Sequence, residues 1–264
     1  MTRPTATRNE RREQARRARI QREQGEAANA ARRRRFTRLG AVLGAAAVVV
    51  VILVAVSSSG GGSTASTSSS ASPSAPVAGT QASRSLLNGI PQKGLTLGNA
   101  NAPVRVLEFA DLQCPFCRDY TTGVMPGLVQ KYVRTGKVRM EFHALAFIGP
   151  DSVRAARVAE AAGRQNKLWN VADLAYHNQG AENSGWATDG KLRSIAAAVP
   201  GLDVKQVFAT RNSAAVTAQL KAASDLATRS GVNETPTFLV GRGSSLKAVD
   251  AAGLPAAIKA AVGS

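Results

Sequence analysis

Apolar and polar positions divide the chain into four regimes. Residues 1–38 are polar and charged, 39–56 are apolar without interruption, 57–84 are mostly small and carry no charge before Arg84, and 85–264 alternate apolar runs with polar breaks. The run 39–56 (LGAVLGAAAVVVVILVAV) is 18 residues long with no charge and no proline, close to the ~20 that a helix needs to cross ~30 Å of hydrocarbon. It predicts one N-terminal transmembrane helix. A cleaved signal peptide has a shorter apolar core of ~7–15 residues and a short basic lead. Here the lead is 38 residues, which favours an uncleaved signal anchor over a signal peptide cut near Ala55 or Ser57. A buried helix of a soluble core is the third reading.

The alternating region 85–264 is long enough for one domain with a sizeable core. A short strand is expected near 95–97, then a turn through Gly98-Asn99-Ala100-Asn101-Ala102-Pro103, then a strand over 104–110. That strand is too apolar to be half exposed and reads as central, covered on both faces. Pro115 suits a first helical turn, where its missing N–H costs nothing. The helix it opens should run to about Thr135 with a bend at Gly123 or Pro126, and 137–144 reads as the next strand, closing a β-α-β unit. Alanine-rich helical segments follow over 151–164, 166–178, 191–199, 204–209 and 213–230. Then come a hairpin over 237–241 and 245–249 around Arg242-Gly243-Ser244 and a last helix over 254–262. Two strands around a helix, a helical block, then a hairpin and a helix describe an α/β, thioredoxin-like fold carrying an inserted helical subdomain over about 150–230.

Charge changes the picture at the N-terminus. The first 38 residues hold thirteen Arg and four Glu, a net of +9 out of the chain's +17, so the remainder carries +8. Arg8 to Arg35 is too poor in apolar residues to fold alone. Nucleic-acid binding competes as a reading of any basic stretch, but the apolar run that follows at once supplies a simpler role. Lys and Arg resist translocation, so 1–38 is a cytoplasmic tail and the C-terminal ~200 residues lie outside the cytoplasm. The segment 57–84, built mostly from Ser, Gly, Ala, Thr and Pro, is then a tether. By the random-coil rule ~27 such residues span roughly 30 Å.

The chain has two cysteines, in Cys114-Pro115-Phe116-Cys117 directly after the apolar strand. A dithiol closing so short a ring at a helix start can cycle without disturbing a core, which points to redox chemistry. A permanent local disulfide adds little loop-entropy stabilisation. A metal site would have to draw on His143 and His177, neither of which has ligand spacing to the cysteines, so no metal or cofactor is expected. The unpaired N–H groups and positive dipole end of the helix favour a thiolate at Cys114, the nucleophile. Cys117, one turn on, is the resolving thiol, more buried and less reactive. Glu108 stands amid Val106, Leu107, Phe109 and Ala110. Burial there raises a carboxyl's pKa unless it is paired; a solvated edge position or a pairing with Arg105 is the alternative. Trp169 and Tyr176 are seven apart and share a helical face, read as packing of the insertion, with a substrate groove as the alternative. His177 reads as a surface or interface residue, and His143 carries no assignment.

VLEFADLQCPFC (106–117), followed after the helical stretch by GVNETPTFLVG (231–241), resembles the DsbA-like thiol–disulfide oxidoreductases, specifically the membrane-tethered Gram-positive and actinobacterial kind. The resemblance covers about 95–264. It implies that Glu108 is a buried acid relaying a proton for the resolving cysteine. It implies too that Pro236 is a cis-proline facing the dithiol, and that the backbone of Thr235 pairs with an extended substrate peptide. An ordinary proline opening an edge strand is the alternative for Pro236. Pro115 and Phe116 tune the thiolate, and the His that the strongest oxidants of the family carry in this dipeptide is missing. The expected function is a membrane-anchored, extracytoplasmic disulfide donor to reduced secreted or envelope proteins, reoxidised by a quinone-linked membrane partner such as a vitamin K epoxide reductase-like protein. The rivals are a reductase or isomerase of the same fold and, in another class, a tethered thiol-based metallochaperone.

Overall fold

The computed structural model describes residues 76–263. The basic tail, the apolar run 39–56 and most of the tether lie outside the described residues, and no helix among the described residues is long and apolar enough to cross a membrane. The strands are β1 (Gln92–Lys93), β2 (Thr96–Leu97), β3 (Val104–Ala110), β4 (Val138–Ala144), β5 (Thr237–Arg242) and β6 (Ser245–Val249), in the sheet order β1-β2-β4-β3-β5-β6. β3 and β4 pair in parallel and the other neighbours antiparallel. β3 is therefore interior to the sheet, as its unbroken apolar pattern predicts.

The crossover between β3 and β4 is one continuous helical run, α2 (115–133). It is α-helical over Pro115–Asp119, π-helical over Tyr120–Val124, α-helical over Met125–Leu128 and π-helical over Val129–Val133. The bend expected at Gly123 or Pro126 takes this form. Pro126 lacks a donor and its ring crowds the carbonyl four residues back, and a wider turn just before it relieves both. Nothing in the sequence explains the second π segment.

Between β4 and β5 lie α3 (Pro150–Gly163), α4 (Leu168–His177), α5 (Asp189–Ala197), α6 (Val204–Thr210) and α7 (Ala214–Arg229), and α8 (Leu254–Gly263) closes the fold. Thr188, Asp203 and Ser213 cap α5, α6 and α7, each accepting from the amide three residues on. Such caps supply a partner for one orphan donor of the first turn. Gly243, at φ +55°, turns the β5–β6 hairpin in a region that favours glycine.

One difference from expectation lies at the start of the domain. Residues up to 84 read as tether, yet Thr80–Leu87 is a helix, α1, with Ser83, Leu86 and Leu87 buried. It packs on α4, and Arg134 ties its last turn by donating to the carbonyls of Leu86 and Asn88 at 2.8 and 3.0 Å. Helix propensity over so short a segment is marginal in water; docking onto the domain supplies the stability.

The sheet has two unlike faces. Val104, Val106 and Ala110 of β3 join Val138, Met140, Phe142 and Ala144 of β4 in the main core with α2, the helical block and α8. Leu107 and Phe109 face the other way, into a smaller cluster with Leu145, Leu239 and Ala223 and Ala227 of α7. By strand alternation Glu108 points into the main core, and Arg105 and Glu141 to the α7 side.

Candidate active site

Cys114 is the N-cap of α2, with extended backbone, and Pro115 occupies the first helical turn. Its Sγ accepts from the amide of Cys117 at 3.3 Å, and its thiol donates to the carbonyl oxygen of Thr235 at 3.3 Å. Thr235–Pro236 is a cis peptide bond, and the hydrogen bond to Thr235 places the proline loop, 121 residues downstream, against the first cysteine. The two thiols are not joined in this structure. Cys117 is fully buried, whereas Phe116 beside it is 71 % exposed.

The two thiols have opposite acidities. A hydrogen bond with the Cys117 thiol, helped by Thr235 and the amide groups of Cys117 and Phe116, outweighs burial and lowers the Cys114 pKa to about 6. Burial first, then the hydrogen bond and charge of Cys114, push the Cys117 thiol far up. At neutral pH a reduced site of this kind holds a thiolate at Cys114 and a thiol at Cys117. A thiolate is the reactive species in exchange, and a low-pKa sulfur is also the better leaving group.

Glu108 is 1 % exposed and its Oε2 has no hydrogen-bond partner. Burial raises its pKa to about 8. Both alternatives to an unpaired buried acid fall away: β3 is not an edge strand, and Arg105 donates instead to Glu141 at 2.7 and 2.8 Å. Tyr120, three residues after Cys117, is buried with its hydroxyl unpartnered, its ring centroid 4.6 Å from that of Phe238.

A scaffold of polar residues that sequence reasoning passed over holds the dithiol loop. Asp111 is buried; its carboxylate accepts from the amides of Gln113, Phe147 and Ile148 at 2.8, 3.1 and 3.2 Å. Its carbonyl accepts from the Cys114 amide at 2.9 Å and from the Tyr176 hydroxyl at 3.2 Å. Gln113 donates to Ser152 and accepts from the Asn183 amide, and Gln179 donates to the carbonyls of Leu112 and Cys114. The helical insertion thus clamps the loop through Ser152, Tyr176, Gln179 and Asn183. The one available signal was an Asp and a Gln flanking a leucine between an apolar strand and the dithiol. Trp169 and Tyr176 are both buried, as expected, and both also spend their polar ends on the fold, Trp169 by donating to the Leu95 carbonyl at 2.8 Å. His143 is buried rather than merely at a strand end, stacked on Phe109 with centroids 5.1 Å apart. His177 is half-buried, 3.9 Å from Asp173.

An apolar groove of about 400 Å³ lies between β4's end and α7, lined in part by Leu145, Phe147, Leu220, Val232 and Asn233. Asn233 is two residues before Thr235. A larger cavity of about 870 Å³, bordered by Arg84, Arg134 and Lys167, touches none of the dithiol residues.

Residues 91–260 match the family model described as thioredoxin. A probable disulfide bond formation protein D of Bacillus cereus is 35 % identical over 148 residues, which cover 55 % of this chain and 68 % of that protein. The chain belongs to the DsbA-like thiol–disulfide oxidoreductase family. It is a protein thiol–disulfide oxidoreductase. A solved thioredoxin-like oxidoreductase from Silicibacter pomeroyi DSS-3 is 31 % identical, with a TM-score of 0.52 over 69 % of this chain and 98 % of that one. Oxidised BdbD from Bacillus subtilis, at 22 % identity, shares the fold with a TM-score of 0.58 over 66 % of this chain and 98 % of that one. The DsbA-like fold accounts for the α/β architecture; the inserted helices of this chain are the elements that grip its dithiol loop.

Proposed function

We propose that this oxidoreductase is a disulfide donor working outside the cytoplasm, held at the membrane by 39–56 with its basic tail inside. Its substrates are reduced secreted or envelope proteins, and the Cys114–Cys117 disulfide is the group it gives up. A substrate thiolate attacks Cys114 Sγ; the Cys114–Cys117 bond breaks and Cys117 leaves as a thiolate that takes up a proton. A second substrate thiolate then attacks the substrate sulfur of the mixed disulfide, and Cys114 departs as a thiolate. The substrate loses two electrons and the dithiol gains them. A quinone-linked membrane partner of the vitamin K epoxide reductase type restores the disulfide. Thr235 and Pro236 face the mixed disulfide, and Pro115 and the exposed Phe116 border it.

The observation that carries the oxidising direction is Cys114 at the helix N-terminus, its Sγ accepting from the Cys117 amide at 3.3 Å, which agrees with a pKa lowered to about 6. Whatever stabilises that thiolate stabilises the reduced state, and so makes the disulfide the stronger oxidant. Equilibration with glutathione should give a potential above the ~−270 mV of thioredoxin. A value at or below that figure makes the protein a reductase. Cys117→Ser should accumulate mixed disulfides with exported proteins through Cys114, whereas Cys114→Ser should not. Equal trapping by both variants would overturn the assignment of the nucleophile.

A further inference from the structure

Most acids among the described residues are buried or paired with an arginine or lysine. Asp203 and Asp250 are exposed or nearly so, and their carboxylates accept backbone amides. Two acids are left, Glu182 and Glu234. Both are exposed, and neither carboxylate has an ion-pair or hydrogen-bond partner. Solvated carboxylates are ordinary on a surface; the position of these two is what informs. The chain beyond residue 38 carries a net +8, yet its two unneutralised carboxylates both fall beside the dithiol, on different elements.

Glu234 precedes Thr235, whose carbonyl accepts from the Cys114 thiol at 3.3 Å. Its own carbonyl accepts from the Thr237 hydroxyl at 2.8 Å, which fixes its backbone at the mouth of β5. Glu182 belongs to the loop between α4 and α5. It takes the second position of a turn closed by the Ser184 amide on the Ala181 carbonyl at 3.2 Å. Asn183 takes the third position at φ +55°, a conformation that asparagine tolerates. The Asn183 amide donates to Gln113 Oε1 at 2.7 Å, and Gln113 adjoins Cys114. The turn that carries Glu182 is thereby fastened to the dithiol loop. Neighbouring cations are already committed. Arg118, next after Cys117, pairs with Asp119, and Arg154 pairs with Asp151, which also holds the Gly185 and Trp186 amides just past the turn.

We infer that Glu182 and Glu234 select substrate segments that carry Lys or Arg beside the reacting cysteine. The inference rests on the thiol exchange proposed above, though not on its direction, and names the substrate class of that site. A segment whose sulfur joins Cys114 Sγ lies against the Thr235 backbone, so its residues next to the cysteine come within reach of Glu234 on the proline loop and of Glu182 on the insertion. Fixed charges of one sign at a cleft speed the encounter with the opposite sign and suppress the like sign. Neither carboxylate bonds a sulfur, so the pair acts on which substrate arrives and leaves the exchange step to the dithiol.

The test mixes the oxidised full-length protein with short peptides holding one cysteine flanked by lysines, by glutamines or by glutamates. Rates are followed by stopped flow and corrected for each peptide's thiolate fraction. At low salt the lysine peptide should react about tenfold faster than the glutamate peptide, with glutamine between, as expected of a few exposed charge pairs. At about 0.5 M salt, where screening is strong, the spread should shrink to within about twofold. Glu182→Gln combined with Glu234→Gln should shrink it as far at low salt, and Glu182→Lys combined with Glu234→Lys should reverse the order. Reading ratios within each variant cancels any change in the dithiol's own reactivity. Equal rates for the three peptides in the parent, or a lysine preference that survives both double variants, would overturn the selection. Should the variants fail to fold, the salt series in the parent decides, and a preference that salt does not screen sinks the idea. If the potential of the parent proves reducing, the oxidase direction fails separately, and the same order should appear when the reduced protein attacks mixed disulfides of these peptides with glutathione.

Discussion

Glu108 and Glu141 sit on neighbouring parallel strands of one sheet, Glu108 in register with Phe142 and Leu107 with Glu141. One step of register places them on opposite faces, and the faces treat a carboxylate in opposite ways. On the α7 side burial would raise the Glu141 pKa, but His143 and Arg105 outweigh it and hold it down at about 2. Arg105 makes the two short hydrogen bonds, while His143 Nε2 is 3.8 Å away, so the guanidinium does most of this. On the main-core side Glu108 meets no cation, and burial alone raises it to about 8. The comparison separates a carboxylate held charged by neighbouring cations from a carboxyl that burial keeps neutral at neutral pH. The thiols repeat the pattern, Cys114 lowered by donors at a helix terminus and Cys117 raised by the core.

The largest consequence is for stability against pH, where the two acids have opposite signs. Glu108 binds its proton more tightly folded than unfolded, so its contribution is fully present below about pH 4.5 and is lost as pH rises through about 8. Glu141 does the reverse: its contribution is present above about pH 4.5 and is lost as pH falls towards 2. Each group can tilt the stability curve by up to about 1.4 kcal/mol per pH unit within its window. Chemical denaturation in one redox state should therefore show Glu108→Gln flattening the alkaline decline and Glu141→Gln flattening the acid one. Some alkaline slope should persist in Glu108→Gln, because Glu160 in α3 is also raised to about 8 by burial. If both variants flatten the same limb, the two faces do not differ as described.

Breaking the paired side has a smaller effect. Arg105→Met leaves Glu141 with Arg139 at 3.6 Å and His143 at 3.8 Å, and should cost about 1–2 kcal/mol in denaturant midpoint. That is less than a fully buried pair would lose, because both partners retain some solvent contact. An unchanged midpoint would show that the ion pair is not what tolerates the acid there. The smallest expected effect sharpens the functional contrast. Glu141→Gln should leave the Cys114 thiolate midpoint near 6 and the exchange rate within about twofold of the parent, since Glu141 pairs with Arg105, Arg139 and His143 and not with the dithiol loop.

Much of the site was legible because its signals are local or depend on strand period. CPFC after an apolar strand with Pro115 in the first turn specifies a thiol at a helix N-terminus whatever surrounds it. Glu108 stood out because an acid in a strand buried on both faces has few destinations. The helices of the insertion were legible from alanine-rich segments separated by polar or Gly/Pro breaks. The misreadings share one cause. Asp111, Gln113 and Gln179 drew no assignment because most of their partners lie 36 or more residues away in the chain. Residues 80–84 of the helix Thr80–Leu87 were read as tether because they are mostly small and polar, and docking rather than propensity makes them helical.

By itself, then, the sequence determined the period of each element, the helix-end position of Cys114, the burial of Cys117 and the presence of an acid in the central strand. Those follow from covalent spacing, side-chain alternation and the cost of exposing apolar surface. Tertiary structure decided which acid finds a cation and which stays neutral, that the Thr235 carbonyl meets the Cys114 thiol, and that the insertion grips the loop between them. Each of these depends on groups distant in the chain sharing a low-dielectric space, where a single missing or present partner shifts a proton affinity by several units.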